Sequence, residues 1–397
     1  MTDVDDMVES TTAYDVDDLR RAFPGLDPGL ARFDGPGGSL VPAVVTDAVA
    51  DTLRAGLCQR GGPTAQGALA DRTTLDARAA IARLVGLPDA RGVVFGRSMT
   101  ALTFDTARTL AQDWGPGDEV VVSRLDHDAN IRPWVVAAER AGATVRRLGF
   151  DPVTAELDDV EPLLTDRTRL VAVTAASNLL GTRPDVAALA AAAHEVGALV
   201  HVDAVHLAAH APVDLGALGA DLLVCSPYKF FGPHLGALVA DPALLERLRP
   251  DKLLPSSDAV PERFELGTLP YELLAGVTAA VEFTESWGMA AVERHEAELL
   301  ARLLEGLAGI DRVVVHGRPQ RRTPTVLVTV DGLDPVEVSR RLADRGVVAP
   351  AGSFYALEAS RHAGLGDGGG VRIGLGAYTT GDEVDRLLAG LRDVAGE

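Results

Sequence analysis

The chain of 397 residues has no long apolar run, no excess of positive charge and no metal-binding motif. No stretch approaches the roughly 20 apolar residues that a membrane-spanning helix needs, so we expect no membrane partner. The formal net charge of −20 repels phosphate backbones and anionic lipid, which argues against nucleic acid as the main partner. Neither a Cys-x-x-Cys nor a His-Glu-x-x-His pattern occurs, so no metal is expected. The composition therefore favours small molecules as ligands.

Cysteine is also scarce, since Cys58 and Cys225 are the only two. Such sparse cysteine fits a reducing compartment. The acidic start of the chain lacks the basic-then-apolar order of a secretion signal. We therefore expect a cytoplasmic protein whose first dozen residues form a frayed terminus.

Lysine is nearly absent: of 37 basic residues only Lys229 and Lys252 are lysine. A guanidinium stays protonated and is a poor nucleophile, whereas a lysine amine can lose its proton and condense with a carbonyl. Lys229 lies in the apolar run CSPYKFFG and is therefore a candidate for a Schiff base with pyridoxal phosphate (PLP). The alternative is a chance survivor of a bias toward arginine.

Short β-branched runs alternate with helical patterns between about residues 90 and 240, which is the rhythm of βαβ units. Most of these runs are continuously apolar, as expected when helices cover both faces of a parallel sheet. The pattern predicts an α/β fold: a three-layer αβα large domain with a mostly parallel sheet.

After about residue 290 the pattern changes to a long helix, two hairpin-like strands and another helix. This order predicts a smaller α+β C-terminal domain. We expect an N-terminal segment 1–40 that packs on the small domain, a large cofactor-binding domain 41–288 and a small domain 289–397.

Polar residues follow five of the predicted strands, and ligands of an open α/β sheet collect beyond the carboxyl ends of strands. The fold should bring these ends to one edge of the sheet and form a single pocket. The polar positions lie in segments 96–100, 126–128, 177–178, 203–206 and 226–229.

Asp203 ends the apolar strand ALVHVD, where it could keep the pyridine nitrogen of PLP protonated. A helix cap is the alternative. The 26 residues between Asp203 and Lys229 leave room for the chain to leave one strand and return on another. The two residues are therefore candidates for one cofactor site.

A phosphate site is indicated by the glycine turn that leads into the helix GRSMTALTFDTARTL, where Ser98 and Met99 could donate hydrogen bonds. Many such turns contain Gly and Ser for conformational reasons alone. Ser226 and Tyr228 could complete the site, or Tyr228 could pack in the core.

Three further residues could serve the site or have an ordinary structural role. His127 could stack on the pyridine ring and shuttle a proton near neutral pH, or be an ordinary loop histidine. His206 could bond the phenolate oxygen of the cofactor, or be a satisfied helix histidine. Arg372 could clamp a substrate carboxylate through a bidentate pair, although the chain is rich in arginine.

Six segments resemble, in order, the motifs of the class V aminotransferase family of fold-type I PLP enzymes, especially its cysteine desulfurase and selenocysteine lyase branch. They are LDHDANIRPW, TAASNLLGT, HVDAVH, SPYKFFGPHLG, RFELGT and VRIGLGAYTT. The match spans nearly the whole chain, and several ordered motifs are far more specific than any one of them.

The resemblance implies PLP as the cofactor and Lys229 and His127 as catalytic residues, with His127 stacked on the ring. It implies a role for Asp203 at the pyridine nitrogen, for His206 where many relatives carry Gln, and for Arg372 at the substrate carboxylate. The other implied contacts are Asn178 beside cofactor and substrate, and Ser98, Met99, Ser226 and Tyr228 at the phosphate, with Tyr228 replacing a usual His.

In relatives, the pair that matches Gly267 and Thr268 reaches the phosphate of the neighbouring subunit. The resemblance therefore implies a homodimer with shared active sites and a small amino acid as substrate.

One segment departs from the desulfurase branch. Where desulfurases carry their persulfide-forming cysteine, this chain has PAGSFYALEAS, with Tyr355 near the position of the nucleophile. We expect Cys58 and Cys225 to be small buried hydrophobes and not sulfur carriers. Persulfide transfer is thereby put in question.

Three functions follow as hypotheses. The first is a desulfurase-like C–S lyase that acts at Cα and Cβ of a sulfur-containing or related amino acid, with Lys229 as the Cα base. The second is an aminotransferase or epimerase on the same cofactor. The third, a non-catalytic partner-binding descendant, is disfavoured because Lys229 and Asp203 are both retained.

Overall fold

The computed structural model describes residues 14–397, so the expected frayed terminus lies outside the described residues. The helices are α1 Val16–Arg21, α2 Ala43–Arg54, α3 Ala65–Leu84, α4 Met99–Leu110, α5 Arg132–Ala141, α6 Val186–Glu195, α7 Pro242–Arg247, α8 Tyr271–Trp287, α9 Met289–Ala308, α10 Pro335–Ala343, α11 Leu357–His362 and α12 Gly381–Gly396. The strands are β1 Ala31–Arg32, β2 Val93–Gly96, β3 Glu119–Ser123, β4 Thr144–Leu148, β5 Thr168–Thr174, β6 Leu199–Asp203, β7 Leu222–Cys225, β8 Gly236–Ala240, β9 Val313–His316, β10 Thr325–Val330, β11 Val347–Val348, β12 Ala351–Gly352 and β13 Gly370–Gly374.

A seven-stranded sheet in the order β2-β8-β7-β6-β5-β3-β4 forms the centre of the large part of the molecule. Strands β7, β6, β5, β3 and β4 are parallel to one another. Strand β8 runs antiparallel to both β2 and β7. Because only β8 is reversed, the other six strands end at the same edge of the sheet.

Helices cover both faces of this sheet. One apolar core packs α3, α6 and α8 against one face, and a second packs α4, α5 and α7 against the other. The strands are buried on both sides, which explains their continuous apolar runs. The predicted three-layer fold has this arrangement.

The C-terminal part contains a four-stranded antiparallel sheet in the order β12-β13-β10-β9 and its own apolar core. The chain before α2 contacts this part: β1 pairs with β11, and Arg20 lies 3.0 Å from Glu383. Helices α8 and α9 are separated by Gly288, which has a left-handed φ of 74°. The exact domain boundaries at residues 40 and 288 stay a prediction.

Within residues 14–397, no helix combines the length and apolarity that crossing a bilayer requires. The same residues contain no cluster of three His, Cys, Asp or Glu side chains arranged to hold a metal ion.

Candidate active site

A cavity of about 550 Å³ lies at the edge where β2, β3, β5, β6 and β7 end. Strand-end residues that the sequence pointed to, together with Arg372 of β13, line this one cavity. They are Ser98, Met99, His127, Asn178, Asp203, His206, Ser226, Tyr228, Lys229 and Arg372.

Lys229 closes a single helical turn, Pro227–Lys229, that follows β7. Its Nζ donates to the carbonyl oxygen of Pro36 and lies 4.9 Å from the ring centre of Tyr228. Burial lowers the pKa of Lys229 to about 7, the positive charge of Arg372 adds to this, and Asp203 opposes it. Much of the amine is therefore neutral at physiological pH, as a nucleophilic lysine requires.

Asp203 is the last residue of β6 and is only 5% exposed. Its Oδ1 accepts the backbone N–H of Val205 at 2.9 Å. Burial raises the pKa of Asp203 to about 6, although this hydrogen bond and the charge of Lys229 lower it. A cationic ring nitrogen beside this carboxyl would stabilise its ionised form.

His127 precedes a short turn after β3, and its Nδ1 accepts the backbone N–H of Ala129 at 3.0 Å. Burial lowers the pKa of His127 to about 4, aided by the charges of Lys229 and Arg372. The imidazole is therefore neutral at pH 7, with its proton on Nε2. It can offer a flat face to an aromatic ring.

A buried carboxylate anchors the loop that carries His127. The Oδ1 of Asp126 accepts the side-chain amide of Asn130 at 2.7 Å, and its Oδ2 accepts the backbone N–H of Thr174 at 3.0 Å. The Oδ1 of Asn130 in turn accepts the indole N–H of Trp134 at 3.1 Å. These bonds fix the loop to β5 and to the first turn of α5.

The start of α4 forms one part of the cavity wall. The hydroxyl of Ser98 caps the helix by accepting the N–H of Ala101 at 3.1 Å, which leaves its own proton available as a donor. Ser226 is buried after β7. The ring of Tyr228 stacks on His234, with ring centres 5.0 Å apart. A helix N-terminus with neighbouring hydroxyls is suited to an anion.

Arg372 and Asn178 form another part of the cavity wall. The Nη1 of Arg372 donates to the carbonyl of Asn178 at 3.0 Å, and the amide of Asn178 donates to the carbonyl of Phe354 at 3.0 Å. Burial lowers the pKa of Arg372 to about 9. A guanidinium buried at 3% exposure calls for an anionic partner.

Two threonines of the C-terminal part of the chain bond the side chain of His206. Its Nε2 lies 3.1 Å from the hydroxyl of Thr323 and 3.0 Å from that of Thr325. Burial lowers the pKa of His206 well below its usual value, and the nearby His210 adds to this. The ring is therefore neutral, and Nδ1 is the nitrogen left for a ligand.

The model of the family described as aminotransferase class V matches residues 32–387. An uncharacterized protein of Mycobacterium tuberculosis is 34% identical, over 96% of this chain and 99% of its own length. A probable cysteine desulfurase of Mycobacterium leprae is 33% identical, over 97% and 98%. The solved apo structure of a cysteine desulfurase from Thermococcus onnurineus has a TM-score of 0.90 at 26% identity, covering 96% and 98%.

The chain belongs to the class V aminotransferase family. It is a PLP-dependent enzyme of fold type I, similar to the cysteine desulfurases. The predictions of family, fold class, enzymatic activity and cofactor are thereby confirmed.

The side chains of this class V enzyme fit PLP. The cavity combines an amine with a lowered pKa, a buried carboxyl and a neutral imidazole. Lys229 and Asp203 line the same cavity, as a ring held between them requires. Oδ1 of Asn178 is buried without a hydrogen-bond partner in residues 14–397, so a polar acceptor remains for a ligand.

Gly267 and Thr268 do not line this cavity in the class V chain. Both are exposed, in the segment between Phe264 and α8. Their contact with a second subunit therefore stays a prediction.

The prediction that both cysteines are buried is wrong for Cys58. Cys225 is buried at the end of β7, but Cys58 is exposed. Cys58 lies between α2 and α3, outside any element, so no packed face covers it. Neither cysteine lines the cavity.

Sequence reasoning missed two parts of the site. The loop DGPGGS, residues 34–39, places Pro36 and Gly37 on the cavity wall. Phe354 also lines the cavity. Neither follows a strand of the large sheet, so the strand-end pattern gave no signal for them.

Proposed function

We propose that this protein is a PLP-dependent lyase that breaks the Cβ–S bond of a small sulfur-containing amino acid and releases the sulfur into solution. One observation carries the proposal. The cavity that holds Lys229, Asp203 and Arg372 contains no cysteine among the described residues that line it.

Each residue has a distinct proposed role. PLP, when bound, supplies the electron sink that makes the Cα proton of an amino acid acidic. Lys229 takes this proton at Nζ, which its pKa of about 7 allows near neutral pH. Asp203 holds the charge at the ring nitrogen, and Arg372 binds the substrate carboxylate. His127 acts as a stacking platform for the cofactor ring, and its pKa of about 4 keeps the imidazole neutral.

The remaining predicted contacts complete the proposal. Ser98, Met99, Ser226 and Tyr228 hold the phosphate. Asn178 contacts cofactor and substrate, and His206 bonds the phenolate oxygen of the cofactor.

The sulfur has no protein thiol to accept it at this site. Cys225 is buried, and burial raises the pKa of its thiol to about 12, whereas Cys58 lies outside the cavity. The Cβ–S bond therefore breaks with both electrons on sulfur, which takes a proton from solvent and leaves as sulfide or thiol. Water then converts the three-carbon remainder to pyruvate and ammonia. A desulfurase reaction would instead yield alanine and a protein persulfide.

Product analysis tests the proposal. The holoenzyme is incubated with L-cysteine, L-cystine and a panel of other amino acids, and pyruvate, alanine and sulfide are measured. From L-cysteine we expect pyruvate and sulfide in equal amounts, with no alanine. The variant Cys58→Ser should give the same products, whereas Lys229→Ala should give none.

Other products would contradict the lyase assignment. Alanine without pyruvate would indicate desulfuration on a protein thiol. An oxo acid with the pyridoxamine form of the cofactor would indicate an aminotransferase, and loss of chirality without a new product would indicate an epimerase.

We also propose a homodimer in which the exposed segment with Gly267 and Thr268 reaches the cavity of the second copy. Both residues are exposed and neither lines its own cavity, which supports this arrangement. Both cysteines are free, which supports a reducing compartment and therefore the cytoplasm.

A further inference from the structure

The turn at Phe354 and Tyr355 has an unusual backbone. Both residues are in the left-handed region, with φ of 51° and 59°. Left-handed conformations are costly for side chains of this size, and such strain persists only where surrounding contacts impose it. The turn occupies the position at which the desulfurase branch carries its cysteine, so the strain lies at the mouth of the active site.

Two hydrogen bonds from the large part of the molecule hold this turn. The backbone N–H of Asp128 donates to the carbonyl of Tyr355 at 2.7 Å, and the side-chain amide of Asn178 donates to the carbonyl of Phe354 at 3.0 Å. The ring of Tyr355 also stacks on His127, with ring centres 5.5 Å apart. These contacts fix where the Phe354 side chain is placed.

The ring of Phe354 covers the guanidinium of Arg372. The Cζ of Arg372 lies 3.7 Å from the centre of the ring, well within the range of a cation–π contact. The Nη1 of Arg372 donates to the carbonyl of Asn178, whose side chain holds the carbonyl of Phe354. The three residues therefore form a closed triangle in which each orients the next.

This triangle determines how an anion can approach Arg372. One face of the guanidinium is covered by the ring, and Nη1 is already bonded. Nε has no hydrogen-bond partner in the described part of the chain. Gly37 has no side chain near Nη2, where even a Cβ would come to 3.7 Å. A carboxylate is thereby directed to the free edge of the guanidinium.

We infer that Phe354 is a positioning residue for the α-carboxylate of the substrate, acting by fixing the plane of the Arg372 guanidinium. The inference rests on the proposed function, in which Arg372 binds that carboxylate. It requires the aromatic face of Phe354, and not only its bulk.

Ligand binding to the holoenzyme tests this role without measuring turnover. The probes are L-alanine and ethylamine, which differ by the carboxylate. Dissociation constants come from the change in absorption of the bound cofactor. We expect Phe354→Leu to weaken L-alanine binding by about tenfold, as loss of a desolvated cation–π contact predicts, and ethylamine binding by less than about twofold. Phe354→Tyr, which keeps the aromatic face, should bind L-alanine like the wild type.

Three results would overturn the inference. They are an unchanged affinity of Phe354→Leu for L-alanine, an equal loss for both ligands, and a Phe354→Tyr variant as weak as Phe354→Leu. The second would identify a merely structural residue, which thermal unfolding of the variants would also reveal. A wild-type holoenzyme that responds to no amino acid would instead remove the proposed function itself, together with this inference.

Discussion

Lys229 and Asp203 are both shifted by burial toward their neutral forms. The pKa of the amine is lowered to about 7 and that of the carboxyl is raised to about 6. The cavity without cofactor therefore disfavours the charges that its function needs. A protonated pyridine ring placed beside Asp203 would relieve this cost, so cofactor binding and folding stability are coupled.

Asp203→Asn should make the cofactor-free protein more stable at pH 8. A carboxyl with a raised pKa keeps its proton longer when folded, so the folded state binds more protons between pH 4 and 6 and loses stability as the pH rises through that range. The difference between an ordinary pKa of 3.8 and about 6 corresponds to about 3 kcal/mol. Urea unfolding of both proteins at pH 5 and pH 8 measures how much more stable the variant is at each pH.

The comparison at pH 5 is the control for this prediction. Because pH 5 lies midway through the range in which the wild type loses this stability, the advantage of the variant there should be about half of that at pH 8. Cofactor affinity of Asp203→Asn should fall even as its stability rises. A stability difference that does not change with pH would refute the electrostatic explanation.

Functional residues differ in how well the sequence predicts them. Asp203 and Lys229 could be found because they follow apolar strands and because lysine is rare in this chain. Phe354 and the carbonyl of Pro36 could not, because their places depend on packing between distant segments. The exposure of Cys58 was missed for the same reason, since no local pattern says which loop lies outside the core.

At the scale of elements, a buried ion pair joins α3 to the segment that carries Gly267 and Thr268. The carboxylate of Glu265 accepts two bonds from Arg78 at 2.8 Å each and the backbone N–H of Phe95 at 2.9 Å. Both side chains are at most 5% exposed. The pair thereby fixes the segment that precedes α8 to α3 and β2.

Glu265→Ala should lower the free energy of unfolding by about 3–5 kcal/mol, because it leaves the buried Arg78 charge with only the more distant, partly exposed carboxylate of Glu262, 3.7 Å away. Chemical denaturation measures this loss. The double variant Arg78→Met, Glu265→Leu should recover most of it, since no charge remains buried. Equal stability of the single and double variants would contradict the explanation.

Elements with regular patterns were predictable, and irregular turns were not. Continuous apolar runs indicated the strands of the large sheet because helices bury both of its faces. The turn at Phe354 and Tyr355 has no glycine to mark its left-handed backbone. Contacts from the other part of the molecule impose that shape, so the local sequence does not reveal it.

At the scale of the whole molecule, the proposed shared sites can be tested by mixing variants. Lys229→Ala and Thr268→Ala should each be inactive or strongly impaired as homodimers. A hybrid of the two contains one cavity with intact Lys229 and with Thr268 of the partner subunit unchanged, so co-refolding should restore activity.

Each variant refolded alone is the control for this complementation. Failure of the mixture to regain activity, with hybrid dimers demonstrated by mass, would contradict sharing of the sites. A monomer in sedimentation at working concentration would contradict the dimer itself.

The central claim is that Lys229 bonds the cofactor covalently. The holoenzyme can be reduced with borohydride, digested and analysed by mass spectrometry, and Lys252 serves as an internal control because it is ion-paired with Asp258 and lies outside the cavity. We expect the mass of reduced pyridoxyl phosphate on the peptide that contains Lys229 and on no other. An unmodified Lys229 peptide, or the same mass on Lys252, would contradict the account.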